Sequence, residues 1–300
     1  MNELTVWEKV FYLENCDNAT LGKMCSLSTE WINLCYHSDQ SERIFRTRSE
    51  NRISEEIRAL KPKNMSWKEF YIRIYKFQKK PSEMYVYCKN GDLLEIQLLA
   101  HMTPPVLPTT EDANEAAMYG HLDLLKYLIS INILPDDYGV MTAAWKGRLE
   151  ILQYLAELDI HPTPRGADLA AQDGHLDVVR YLVSVGIPPT PDGANYAAKN
   201  GHLKVVKYLV KKNNRPTENG ADMAAAKGHL ETLKYLVSIG IHPTTFAANA
   251  AAKYGHLETL KYLVSIGVHP TLRAANDAKE HGHSHILSYL ASLEPPIFPN

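Results

Sequence analysis

Six histidines, His121, His175, His202, His229, His256 and His283, each follow a glycine, and His281, His283 and His285 alternate in an H-x-H-x-H run near the end. Imidazole is the commonest protein ligand of transition metals, so this pattern is first a question about metal chemistry. The spacing answers it. The histidines recur every 27 residues or at twice that interval, which gives them equivalent places in successive units. Packed helices lie about 8–10 Å apart, whereas the ligands of one zinc ion all approach it to about 2 Å. The histidines therefore read as turn residues, and only the terminal triplet could take up metal adventitiously. The cysteines Cys16, Cys25, Cys35 and Cys88 contain no C-x-x-C pair and are absent from the last two hundred residues. Reduced thiols in a cytosolic-type compartment are expected. No nucleophile elbow, phosphate-binding loop, dinucleotide fingerprint or kinase signature occurs, and the acidic residues recur with the repeat as capping or surface groups. No cofactor, no metal and no enzymatic activity are expected.

What must position these residues follows from the glycines. Gly120, Gly147, Gly174, Gly201, Gly228, Gly255 and Gly282 stand 27 residues apart, with Gly91 a further 29 residues upstream. The unit at 241–267, IHPTTFAANAAAKYGHLETLKYLVSIG, shows the pattern most fully. Pro243 stops the preceding helix and Thr244 caps a new one starting near residue 245. Ala247, Ala248, Ala251 and Ala252 share a face small enough for close helix approach. Gly255 ends that helix in a left-handed conformation. Leu257, Leu260, Leu263 and Val264 then form the apolar stripe of a second helix. One such pair cannot bury its own apolar surface, so the units must stack.

Hydrophobic residues at 45% and charged residues at 22% suit a soluble chain with an ample core. The net charge of −2 opposes the broad basic surface that nucleic acid needs. Residues 1–42 carry a local charge of −5 and residues 43–80 one of +8. The basic run Arg43, Arg46, Arg48, Arg52, Lys61, Lys63, Lys79 and Lys80 reads first as a solvated helical face and second as a contact for RNA or an acidic protein. Glu3, Glu8 and Glu14 interrupt any signal-peptide core, and no run of eighteen apolar residues exists. A cytoplasmic protein is expected, with the nucleus as an alternative and no membrane partner.

The segment A-A-x-x-G-H-L-E-x-L-K-Y-L, as at Ala170-Ala171-Gln172-Asp173-Gly174-His175-Leu176, resembles the centre of the ankyrin repeat. The family unit is about six residues longer and carries T-P-L-H where this chain has Phe246-Ala247-Ala248-Asn249 or Asn219-Gly220-Ala221-Asp222. The missing residues would come from the β-hairpin between units. The resemblance thus implies an all-α ankyrin-type helical solenoid of about eight helix-turn-helix units with reduced or absent hairpins, spanning 85–294 before a short tail at 295–300. Asn114, Asp168, Asn195, Asp222, Asn249 and Asn276 take the place of the family's histidine and are expected to hydrogen-bond between units. The end units depart from the pattern, with Tyr87 and Cys88 for the alanine pair in the first and Lys279 and Ser284 in the last.

Upstream, Leu4, Leu13, Leu21, Leu27, Ser28 and Trp31 resemble the spacing of an F-box, although Thr5 and Cys16 stand where that family has proline and leucine. Ser66-Trp67-Lys68-Glu69-Phe70-Tyr71 resembles a segment that trails many F-boxes. The resemblance divides the region into an F-box-like module at 1–45 and a basic helical linker at 46–84. An F-box ahead of ankyrin repeats resembles proteins of large DNA viruses. It implies an adaptor that docks Skp1 and a cullin through Leu4, Leu13, Leu21, Leu27 and Trp31 while the repeats hold a protein target for ubiquitination. The other reading is an ankyrin protein that binds or sequesters its target with no ligase link.

The target's place is inferred from variability inside a near-constant unit. The two positions before each glycine change freely, giving Met118, Tyr119, Trp145, Lys146, Asp173, Lys199, Lys227, Lys253 and Tyr254 as groove residues. The ankyrin resemblance puts them on the concave side, with Tyr119, Trp145 and Tyr254 as anchors.

Overall fold

The computed structural model describes residues 13–25, 34–35, 39–79, 84–101 and 105–298, and every regular element among them is a helix. The expected lack of strands holds for these residues. The chain divides into two compact units, Met1–Thr109 and Thr110–Asn300.

In the second unit the 27-residue pattern becomes a two-row stack. The first helices are Thr110–Tyr119, Asp137–Trp145, Pro164–Gln172, Pro191–Lys199, Glu218–Ala226, Thr245–Lys253 and Leu272–Glu280. The second helices are Leu122–Ser130, Leu149–Ala156, Leu176–Ser184, Leu203–Lys211, Leu230–Ser238, Leu257–Ser265 and Ser284–Ala291. Each first helix packs on its counterpart in the neighbouring unit, and the second helices from Leu149–Ala156 to Leu230–Ser238 do so in turn. The start at Thr245 is where the sequence put it, and the Thr244 hydroxyl accepts a hydrogen bond from Phe246 N at 3.2 Å. The other end is closed by a paired turn in which His256 N donates to Ala251 O at 2.8 Å and Gly255 N to Ala252 O at 3.2 Å. That geometry needs a positive φ, which Gly255 adopts at 79°.

The core is alanine on the first row and branched residues on the second. Ala247, Ala248, Ala250, Ala251 and Ala252 are buried, as are Thr259, Leu260 and Leu263. Leu257 and Val264, expected in the same stripe, are only half-buried. Each leucine taken fully out of water contributes about 2 kcal/mol, so stability accumulates in small equal steps along the stack.

The polar ladder between units is present. Asp136 N donates to Asn114 Oδ1 at 3.0 Å, Thr190 N to Asp168 Oδ1 at 2.6 Å and Thr217 N to Asn195 Oδ1 at 2.8 Å. Thr244 N donates to Asp222 Oδ1 at 2.7 Å and Thr271 N to Asn249 Oδ1 at 2.9 Å. Each bond satisfies a backbone N–H at the threshold of the next unit's first helix, or one residue before it, where no intrahelical partner exists. Met141 occupies the corresponding place in the Gly147 unit and cannot accept such a bond.

The first unit is built differently. Its helices are Asn18–Met24, Asp39–Arg52, Glu55–Ala59, Trp67–Lys79, Met84–Asn90 and Leu93–Ala100. The pair carrying Gly91 lies here, with Tyr87 and Cys88 buried in place of alanines. Ser66 and Glu69 form a reciprocal capping box, with Ser66 N donating to Glu69 Oε2 at 3.1 Å and Glu69 N to Ser66 Oγ at 3.1 Å. That pairing gives the Ser66-Trp67-Lys68-Glu69 segment a local structural cause. Arg48, read from sequence as part of a solvated face, is fully buried. Its guanidinium donates to Leu13 O, to Cys16 O at 2.8 Å and to Asn18 Oδ1 at 2.6 Å, and lies 5.3 Å from the centre of the Tyr71 ring. Delocalised charge, several donors and a flat stacking face let arginine occupy a site that lysine could not.

The expectation of reduced thiols fails for two of the four cysteines. Cys25 and Cys35 form a disulfide, with Cα atoms 5.7 Å apart, while Cys16 and Cys88 keep their thiols. The end of the Asn18–Met24 helix and residues 34–35 meet in space, and a separation of ten residues escapes any search for C-x-x-C. The thiol-based ground for a reducing compartment therefore falls. Among the described residues, no helix is long and apolar enough to cross a membrane.

Candidate protein-binding face

The first-helix row presents one face away from the core. In the Gly255 unit, Phe246, Asn249, Ala250, Lys253 and Tyr254 line a shallow cleft of about 90 Å³ with Arg273 and Asp277 of the next unit. Those places lie nine, six, five, two and one residues before the glycine, the i, i+3, i+4, i+7 and i+8 positions of a single helical face. The two positions singled out from sequence are thus its C-terminal edge. Asp173, Lys227 and Tyr254 are exposed, while Met118, Tyr119, Trp145, Lys146, Lys199 and Lys253 are half-buried.

Sequence comparison missed the rest of that face. Five residues before each glycine stand Glu115, Thr142, Leu169, Tyr196, Met223, Ala250 and Asp277, and nine before stand Glu111, Tyr138, Arg165, Asp192, Asn219, Phe246 and Arg273. These positions vary as freely as the pair next to the glycine. Variation at i, i+4, i+7 and i+8 is itself the signal of one loosely constrained face, although Thr142 and Ala250 are buried within it. The most exposed aromatics of the row are Tyr138 at 56%, Phe246 at 58% and Tyr254 at 52%.

The aromatics are flanked by cations. Lys146 Nζ lies 3.8 Å from the Trp145 ring centre, Lys253 Nζ 5.7 Å from Tyr254 and Lys199 Nζ 5.8 Å from Tyr196. Trp145 Nε1 also donates to Asp173 Oδ2 at 2.8 Å, tying its unit to the next. Trp145 therefore has a structural bond as well as an accessible ring, and Phe246 with Tyr254 is the less encumbered pair.

The histidines recur once per unit, and the rings of His281, His283 and His285 lie side by side, with centres 6.3 and 5.8 Å apart. Among the described residues no group of three or more His, Cys, Asp or Glu side chains is placed to hold a metal ion. The rings of His175, His202, His229, His256 and His283 instead pack on the glycine of the preceding unit. A methyl group built on Gly147 would lie 2.5 Å from His175 Nδ1, and one on Gly174 or Gly201 equally close to His202 or His229. Arg148 fills the place in the Gly147 unit and donates to Met118 O at 3.0 Å. Burial and neighbouring histidines hold the pKa of His229 below its ordinary value, and burial does the same for His256. A metal-like sequence pattern is thus a packing pattern.

In the first unit, Leu13 and Leu21 are buried core residues. Leu4, Leu27 and Trp31 lie outside the described residues. The basic run is largely consumed internally. Arg43 pairs with Glu14 at 3.2 Å, Arg46 with Glu50 at 3.2 Å, Arg52 donates to Cys16 O at 2.7 Å, and Lys61 Nζ lies 5.2 Å from the Trp67 ring. Lys63 is exposed, and the Lys79 side chain and Lys80 lie outside the described residues.

Two family models match the chain, ankyrin repeats (many copies) over residues 115–156 and ankyrin repeats (3 copies) over residues 167–247. Neither is a catalytic family. No curated protein matches the chain in sequence. Among solved structures, the pentatricopeptide repeat protein PPR10 from maize is 14% identical over 97% of this chain and 52% of its own, with a TM-score of 0.38. PPR10 in complex with an 18-nt psaJ RNA element is 12% identical over 97% of this chain and 48% of its own, with a TM-score of 0.40. The chain spans about half the length of these structures. The stacked helical pairs at residues 115–156 and 167–247 are ankyrin repeats, here shortened to a 27-residue period.

Proposed function

We propose that the chain is a non-enzymatic scaffold that holds a protein partner on the exposed face of its first-helix row. The observation that carries this reading is the contrast within each unit. Alanines at the buried places are nearly invariant, while the exposed places change type from unit to unit and include Tyr138, Tyr196, Phe246 and Tyr254. Packing constrains the first set, and recognition is free to shape the second. Aromatic side chains dominate binding energy where they are presented on a rigid frame. The test is Phe246→Ala with Tyr254→Ala in the full chain. Partner affinity should fall by at least about tenfold with little change in melting temperature. A large fall in melting temperature with unaltered binding sinks the assignment of this face.

The finer reading is that the first unit docks Skp1 and a cullin, so that the bound protein is ubiquitinated. It rests on the residue pattern at Leu4, Leu13, Leu21, Leu27 and Trp31. Purified full-length chain and Skp1 should co-elute on gel filtration, and failure to do so leaves the scaffold without a ligase link.

A further inference from the structure

The second-helix row carries a different feature. Three residues after its glycine each unit has an acidic side chain, Asp123, Glu150, Asp177, Glu231 and Glu258, except that the Gly201 unit has Lys204 and the last unit His285. Ten and eleven residues after the glycine the repeat favours serine and an aliphatic residue, as at Ser184-Val185, Ser238-Ile239 and Ser265-Ile266, whereas the Gly201 unit has Lys211-Lys212. Three departures in one unit are all to lysine. They converge on an open depression of about 640 Å³ lined by Leu176, Arg180, Lys204, Lys207, Tyr208, Lys211 and Lys212.

No carboxylate lines this depression. Arg180 lies over the Tyr208 ring at 5.6 Å and Lys207 over Tyr235 at 5.4 Å, and no ion pair among the described residues engages any of the five cations. In the next two units the lysine of the same row is neutralised, Lys234 by Glu231 and Lys261 by Glu258, both at 2.9 Å. Lys204 sits in the first turn of Leu203–Lys211, where the helix dipole disfavours a cation and where the flanking units place an acid. Neither capping nor packing accounts for it.

We propose that this depression is a second docking site, which takes a short acidic segment of a protein partner laid along the Leu203–Lys211 helix. From Lys204 to Lys212 the helix rises about 12 Å, the span of about four extended residues. Tyr208 and Leu176 offer an apolar floor beneath the charges. A long nucleic-acid strand fits less well, because Asp177 and Glu231 occupy the place of Lys204 on either side and confine the positive field to one unit. The site is independent of the first-row face.

The experiment uses the full chain and fluorescein-labelled hexaglutamate, read by anisotropy at low and physiological salt. In the triple variant Lys204→Glu, Lys211→Ser, Lys212→Ile each change installs a residue type that neighbouring units carry at the same place, so the fold is retained. A second variant, Lys89→Glu with Lys126→Glu, lies outside both the depression and the first-row face and has the same change in net charge. The expected result is binding that weakens with salt, a loss of about tenfold or more in the triple variant, and less than about twofold in the control. No measurable binding to the unaltered chain, or equal losses in both variants, overturns the proposal. Tighter binding of an oligouridylate of equal charge assigns the site to nucleic acid and overturns it as well.

Discussion

The two compact units solve the problem of buried polarity in opposite ways. In Thr110–Asn300 a ladder of short side chains recurs in every unit from Asn114 to Asn249 but that of Met141, each accepting a backbone N–H from the next unit. In Met1–Thr109 a single fully buried arginine gathers groups from residues 13, 16 and 18, and a disulfide joins Cys25 to Cys35. A repeated interface can be stabilised by many equal small terms. A small non-repeating unit has fewer leucines to bury and depends on a few concentrated links. Cutting one link should therefore be local in the first unit and shared along the stack in the second.

The largest effect expected is from Leu236→Ala. Leu236 is fully buried, and truncation should cost about 2–5 kcal/mol. Hydrogen exchange should rise over several units on both sides, because each unit is stable only against its neighbours. Exchange confined to residues 228–241 would mean that the units do not share stability.

Arg48→Met is the counterpart in the first unit. Methionine fills much of the volume but takes the arginine donor from the Leu13 carbonyl, while Cys16 O keeps its bond from Arg52, at about 2 kcal/mol in all. Faster exchange should stay within Met1–Thr109. If the array also loosens, the two units are not energetically separate and the contrast between them fails.

Gly228→Ala probes the histidine packing. Gly228 has a φ of 74°, and an added Cβ would lie 2.6 Å from His256 Nδ1. Gly240 has a φ of 82° with nothing within 4 Å of such a Cβ. Backbone strain is common to both, about 1 kcal/mol, so Gly228→Ala should cost about 1–2 kcal/mol more than Gly240→Ala. Adding His256→Ala should recover part of that excess, and no recovery would show that the ring does not set the glycine requirement.

How far the sequence could be read follows from the same division. Repetition displayed the glycine turns, the alanine face and the Asn114-to-Asn249 ladder, because seven copies show which places packing holds constant. Even there, half of the exposed face went unread, since Glu115, Tyr138, Tyr196 and Phe246 lie one or two turns before the positions compared. In the first unit nothing upstream of the Gly91 pair repeats. Arg48 looked like any surface arginine because burial depends on residues 13, 16, 18 and 71 arriving around it. The Cys25–Cys35 bond depends likewise on a chain path that spacing does not encode.

The smallest effect, and the one that sharpens the ladder most, is Asp222→Asn. Burial raises the Asp222 carboxyl above its ordinary pKa of 3.8, against the lowering by its bonds from Thr244 and with a further push from Glu218. The folded state therefore holds a proton more tightly than the unfolded chain does. Stability is lost as pH rises from the ordinary carboxyl value through the raised one, and at neutral pH the loss is complete. Asparagine removes the charge without removing the ladder. Asn195 shows how, accepting from Thr217 N at 2.8 Å and donating through Nδ2 to Thr217 Oγ1 at 3.1 Å, while that hydroxyl donates to Asn195 Oδ1 at 3.3 Å. Asp222→Asn should thus stabilise the array at neutral pH by less than about 1 kcal/mol, and the gain should vanish on acidification to about pH 3.5. Melting temperatures of the two proteins across that range decide it. A variant that is less stable at neutral pH would mean that the charged bonds to Thr244 outweigh the cost of burying the carboxylate, and that the aspartates and asparagines of the ladder are not equivalent.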